Sequence, residues 1–346
     1  MATFYLLAFI VLFFGVKFQR HGFYSDNLEM EQCNAIKGFF IMMVFISHAL
    51  LDLGKAGFVF SCHLDSFGMQ IRSFFGQLIV VMFLFYSGFG VMESYNKKGQ
   101  DYLRGFPRKR ILATLLNFDI AVLLFVIVDL VIGIRPTLKQ VLFSLIAWDS
   151  VGNSNWYIFV VLLCYVFFYL GFRLFPNHRV KGLLMVLFAA FVGMIVLFFS
   201  KQSWWYDTIL CFPAGLVYSN YKEKINGFFK KNYIVMLVAS LGIFFAFQFI
   251  NFPSILHGFT HNFKSVAFCC LIVLLTMKIK TGNAVLQWLG NKLFPIYIYQ
   301  RLPMIIIAKT CGNELVCAFP YVFIIACFVV TCILAWGYKY WQVKFV

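Results

Sequence analysis

The sequence is poor in charge, and poorer still in negative charge. Only 12% of its 346 residues are charged, with 13 acidic residues against 29 lysines and arginines. A soluble domain carries about 25% charged residues, so this chain cannot cover a globular surface with polar groups. It also lacks polar tracts, low-complexity runs and convincing internal repeats, which excludes a linker between separate domains. Among the 10 cysteines there is no CxxC and no His/Cys spacing of a metal site. Most of these cysteines fall in apolar runs, where free cysteine behaves as a small hydrophobe. Cys62, Cys311 and Cys317 fall on one predicted side and leave a disulfide open.

What is abundant is apolar. Hydrophobic residues make up 62% of the chain, and the mean hydropathy is +0.85. Runs long enough to cross a bilayer as helices recur along it. They fall at about 3–18, 34–53, 74–95, 111–133, 155–174, 181–199, 204–221, 233–252, 263–277, 293–309 and 318–338. The pattern predicts an all-α polytopic membrane protein with about eleven transmembrane helices, ten core helices plus one amino-terminal helix. The connections are too short to hold another domain, so residues 1–346 form a single transmembrane unit. Residues 3–16 lack the basic leading region and small-residue cleavage site of a signal peptide, and we read them as a retained helix.

The net charge of +16 raises nucleic acid as a partner, but the distribution argues for a lipid bilayer. Alternate loops hold 20 cations on one side and seven on the other, and the remaining two, Lys37 and Arg301, lie inside spans. By the positive-inside rule the amino terminus is outside and the carboxyl terminus is in the cytoplasm.

Ionisable groups inside a membrane are costly, so each is a functional candidate. Lys37 and His48 lie in the second span, eleven residues apart. That spacing puts them within about 20° on one helix face and about 16 Å apart along the axis. A cation near the inner end suits an anionic ligand from the cytosol, or it snorkels to the interface. An imidazole deeper in suits proton transfer, or it is a packing residue. In the third span, Ser87, Gly88 and Gly90 permit close helix contact. Asp119 in the fourth span needs a partner, for which Lys37, Arg110 and His48 are candidates. The loop NKKGQDYLRGFPRKR carries Arg108 and Arg110 and serves topology, a phosphate-bearing ligand, or both. At the outer end, Trp156 with Asn155, and Trp204 and Trp205 with Asp207, are interfacial anchors or a sugar-binding surface. Gln300 and Arg301 are buried by position, and Pro295 and Pro303 flag a break in the tenth span.

Five pieces resemble the signature of the membrane acyltransferase-3 family, and they fall in family order. They are the Lys37-x10-His48 pair, YSGFGV around Ser87–Phe89, PRKR at 107–110, NWYIF at 155–159 and LGNKLFPIYIYQ at 289–300. The resemblance covers a core at 34–338, with 1–18 as an additional helix. It differs from the family pattern in having Lys37 for an arginine, ILATLLNF after the basic loop, and Gln300 for a histidine. The resemblance implies an integral-membrane O-acyltransferase of the bacterial cytoplasmic membrane. Its donor is acetyl-CoA or another acyl-CoA on the cytoplasmic side, and its acceptor is a glycan or lipid-linked sugar hydroxyl. The expected catalytic residues are His48 and Lys37. Lys37, Arg108, Arg110 and Ser87 are expected to contact the donor. Asp119, Asn155, Trp156, Gln300 and Arg301 are expected to contact the acceptor. The alternatives are a transporter of a small solute or amino acid, and a catalytically silent assembly subunit.

Overall fold

The computed structural model describes residues 1–250 and 255–345. Apart from one short β pair, its regular structure is helical. The chain runs α1 (Ala2–Phe13), β1 (Lys17–Phe18), α2 (Met30–Lys55), α3 (His63–Phe75), α4 (Leu78–Lys98) and α5 (Gln100–Phe106). A π-helical turn, Pro107–Leu112, carries α5 into α6 (Ala113–Val131). Then follow α7 (Leu138–Leu145), α8 (Trp156–Leu174), α9 (Arg179–Ser200), α10 (Cys211–Asn220), α11 (Lys222–Lys231), α12 (Tyr233–Phe249) and α13 (Ile255–Lys278). After β2 (Ile279–Lys280) come α14 (Ala284–Asn291), α15 (Leu293–Tyr299), α16 (Arg301–Cys311), α17 (Asn313–Ala318) and α18 (Pro320–Gly337). The two strands pair antiparallel, with Lys17 opposite Lys280.

Seven helical stretches among the described residues are long and apolar enough to cross a membrane. The number becomes eight if α11 and α12, bent by 98°, count as one span. Each of the eleven expected runs is helical, but several are short. The first is the 12 residues of α1, and the seventh is the 10 residues of α10. The eighth, α12, ends at Phe249, and the last two residues of the expected run lie outside the described residues. The ninth is longer than expected, because α13 is helical from 255 rather than 263. The tenth is divided between α15 and α16 at Gln300. Pro295 and Pro303 each sit in the first turn of one half, where a missing N–H is tolerated.

Outward faces are greasy: Leu123, Ile127, Phe188, Val196, Ile325 and Ile333 are exposed large apolar side chains. A soluble protein would not leave such a surface to water. Inside, glycines set the closest approaches. A Cβ on Gly88 of α4 would overlap the Phe212 carbonyl of α10, and one on Gly215 of α10 would overlap the Phe85 carbonyl of α4. The same reciprocity joins α2 to α14, where Gly38 lies on Leu286 and Gly290 on Asn34. Small residues let backbones touch where lipid gives no hydrophobic drive for association. Helix α1 buries Ala2, Tyr5 and Ala8 and turns Leu6, Leu7 and Ile10 outward. All ten cysteines are free, so no disulfide joins Cys62, Cys311 or Cys317.

Candidate active site

Helix α2 runs unbroken through Lys37 and His48, so both ends of the expected pair ride on one rod. Gly38 and Asn34 hold that rod against α14, which fixes its depth and rotation. His48 opens into a cavity of about 360 Å3 at the end of the bundle away from the Lys97–Arg110 loop. Arg72, Gln77, Trp156, Trp204 and Tyr297 line it as well. Three buried polar atoms there have no hydrogen-bond partner among the described residues: His48 Nδ1, Gln77 Oε1 and the Tyr297 hydroxyl. Buried polar atoms are normally paired, so three orphans on one cavity mark a place built to meet polar groups. Arg72 donates from Nε to the Ser47 carbonyl at 3.1 Å, which ties α3 to α2 beside the imidazole.

One turn beyond His48, Asp52 accepts from Arg301 at 3.2 Å. Arg301 therefore has the partner its burial demanded. Asp52 also accepts from Lys55 at 3.2 Å. Gln300 is fully buried, donates to the Tyr297 carbonyl at 3.2 Å, and keeps an unpartnered Oε1.

At the opposite end, the π-helical turn widens the helix where PRKR falls. Arg110 lies within electrostatic reach of the Tyr102 and Tyr165 hydroxyls. Tyr165 in turn shares a 2.8 Å hydrogen bond with Ser87. Tyr165 and Tyr157 both stand on α8, and the Tyr157 ring lies 5.2 Å from that of Tyr297. A file of tyrosines thus leads from the basic turn to the His48 cavity. Phe106, 5.6 Å from the Tyr165 ring, and Phe83, 6.0 Å from the Tyr157 ring, flank it.

Other expected residues lie elsewhere. Lys37 is half-buried one turn from Cys33, does not line the His48 cavity, and forms no ion pair among the described residues. Asp119 forms no ion pair with Lys37, Arg110 or His48, and its Oδ1 is unpartnered among the described residues. Arg108 is exposed, and its guanidinium lies 4.8 Å from the Phe345 ring. Asn155 caps a loop: its amide donates to the carbonyls of Ala147 and Asp149 at 3.1 and 2.9 Å. Ala147 has a φ of 58°, a conformation unfavourable for a side-chain-bearing residue, and Asn155 holds that turn. Of the acceptor set, Trp156 alone shares the cavity with His48.

Sequence reasoning passed over Arg72, Gln77, Tyr297 and Asp52 as site residues. Asp52 had a readable signal, since it stands four residues after His48 and so on the same face. Arg72 and Gln77 had none, because they reach the site through the fold of α3 back onto α2. The histidines that surround Asp207 in a second polar cluster were also missed. Asp207, 3% exposed, lies 3.8 Å from His257 and 3.9 Å from His261. Lys264 is buried beside it, and α13 carries it on the same helix as the two histidines.

Residues 31–339 match the family model described as an acyltransferase domain, acyltransferase-3. No curated protein and no solved structure matches the chain.

Proposed function

The chain belongs to the acyltransferase-3 family and is a membrane acyltransferase; from that premise we propose that it moves an acyl group, acetyl in the simplest case, from cytosolic acyl-CoA to a hydroxyl of a cell-surface glycan or lipid-linked sugar. The observation that carries this reading is the convergence of His48 Nδ1, Gln77 Oε1 and the Tyr297 hydroxyl, all unpartnered among the described residues, on one cavity walled by Trp156 and Trp204. Hydroxyl-rich ligands supply the missing hydrogen bonds, and flat aromatic faces pack against sugar rings. The charge bias supports an orientation with this cavity outward and PRKR inward, in a bacterial cytoplasmic membrane.

On this reading the donor's phosphates meet Arg110, Arg108 and Lys37, and its thioester arm follows the tyrosine file. His48 accepts the proton of the acceptor hydroxyl as that oxygen attacks the thioester carbonyl. The carbon–sulfur bond then breaks, and the proton passes to the departing CoA thiolate. Transfer through a transient acyl-histidine uses the same residues. Arg301 and Asp52 brace the turn that carries His48. Family membership favours this chemistry over solute transport.

The test is His48→Ala, purified at normal yield and monodisperse, assayed for acyl-acceptor-dependent CoA release. General-base removal costs about 10²–10⁴ in rate, so turnover should fall at least a hundredfold. Full activity in this variant would remove His48 from the mechanism.

A further inference from the structure

A second cavity, of about 480 Å3, opens at the same end of the bundle beside the His48 cavity. Two short steps in the chain connect their linings. On α2, His48 lines one cavity and Asp52, one turn on, lines the other. Across the break at Gln300, Tyr297 lines the first and Arg301 the second. Four residues of helix rise about 6 Å, the scale of a single sugar ring.

The two cavities differ in charge. The second is lined by Lys55, Arg135, Arg301 and Lys309 against Asp52 and Asp129. One carboxylate, Asp52, already serves both Lys55 and Arg301. Arg135 and Lys309 are exposed at the rim and form no ion pair among the described residues. Excess cations converging on a concave, low-dielectric wall focus a positive potential there. Arginine's planar fork in particular matches the oxygens of a phosphate.

We propose that this second cavity binds a phosphate group of the acceptor, between Arg301, Arg135 and Lys309, while a hydroxyl of the neighbouring sugar reaches His48. The acceptor is then a phosphate-bearing sugar, and the cation cavity sets which hydroxyl is presented. The identity of the bound group as acceptor rests on the acyl-transfer reading; the phosphate site itself does not.

The experiment measures binding rather than turnover. The full chain, in nanodiscs of zwitterionic lipid, is titrated with glucose 1-phosphate and with glucose. Glucose 1-phosphate should bind at least tenfold more tightly, with an affinity that falls as salt rises. In the Arg135→Gln/Lys309→Gln double variant its binding should weaken about tenfold, the loss expected for two exposed ion pairs. Equal binding of the two probes, or an unchanged affinity in the double variant, overturns the proposal. Replacing part of the lipid with phosphatidylglycerol tests the other source of phosphate. Loss of glucose 1-phosphate binding at that step assigns the site to a lipid headgroup and overturns the acceptor assignment. In His48→Ala both sugars lose the same hydroxyl contact, so the preference for glucose 1-phosphate over glucose should remain. Failure of the catalytic reading and failure of the phosphate site are therefore separate results.

Discussion

Gly88 and Gly90 stand two residues apart in the same motif, yet their substitution by alanine should move stability in opposite directions. A methyl group on Gly88 overlaps the Phe212 carbonyl oxygen, lies 3.0 Å from the carbonyl carbon and 3.3 Å from the Leu216 nitrogen. These are backbone atoms and cannot rotate away. The neighbouring lock is equally tight, with a Cβ on Gly215 only 2.9 Å from the Phe89 nitrogen. Helices α4 and α10 would have to separate by roughly 1 Å, and such overpacking costs about 1–3 kcal/mol. Alanine's better helix propensity returns up to about 1 kcal/mol, leaving a net loss. A methyl group on Gly90 meets nothing within 4 Å, so there the propensity gain of about 0.5–1 kcal/mol stands alone. The propensity gain is common to both variants, so they should differ by the overpacking cost, about 1–3 kcal/mol. Thermal transitions of detergent-purified protein, followed by loss of the monodisperse peak, read the difference. Gly88→Ala should melt lower than wild type and Gly90→Ala slightly higher. Shifts of the same sign, or a greater loss in Gly90→Ala, would refute the packing argument. Gly88→Ala should also lose activity, because Ser87 is carried on the displaced turn.

Two further outcomes follow from the hydrogen-bonded pairs. Ser87→Ala and Tyr165→Phe should each cost about 0.5–1.5 kcal/mol, and a double-mutant cycle should return a coupling of about 1 kcal/mol in thermal or denaturant unfolding; independent, additive losses would mean the 2.8 Å contact does not form. Arg301→Gln should destabilise by about 1–3 kcal/mol, below the cost for a fully buried pair, because the side chains of Arg301 and Asp52 keep 20% and 13% exposure. Adding Asp52→Asn should recover most of that loss, and a double variant less stable than Arg301→Gln would contradict the pairing.

The residues that were legible in the sequence are those whose burden is local. His48 in an apolar run is expensive wherever that run packs, and so it announced itself. The same holds for Arg301, whose burial required a partner, and for Pro295 and Pro303, which flanked the break at Gln300. Gly88 was readable as a contact residue, although nothing in the sequence separated it from Gly90. The surroundings of Asn155 were not legible, because a polar residue near a membrane end looks alike whether it faces a ligand, a loop carbonyl or another surface. Asn155 holds the Ala147 turn instead.

By itself, the sequence determined that the chain is helical, that it lives in lipid and that α2 carries an imidazole inside an apolar run. Those properties follow from composition and from the 3.6-residue period, which act within one segment. The tertiary structure decided which side chains surround that group. Arg72, Gln77, Trp156, Trp204 and Tyr297 come from four separate segments. They meet His48 because glycine contacts set the depth of α2 and α4, and because α3 folds back onto α2. The pairing of Asp52 with Arg301 spans 249 residues. A contact of that reach has no trace in local spacing, since it depends on how helices stack rather than on what each contains.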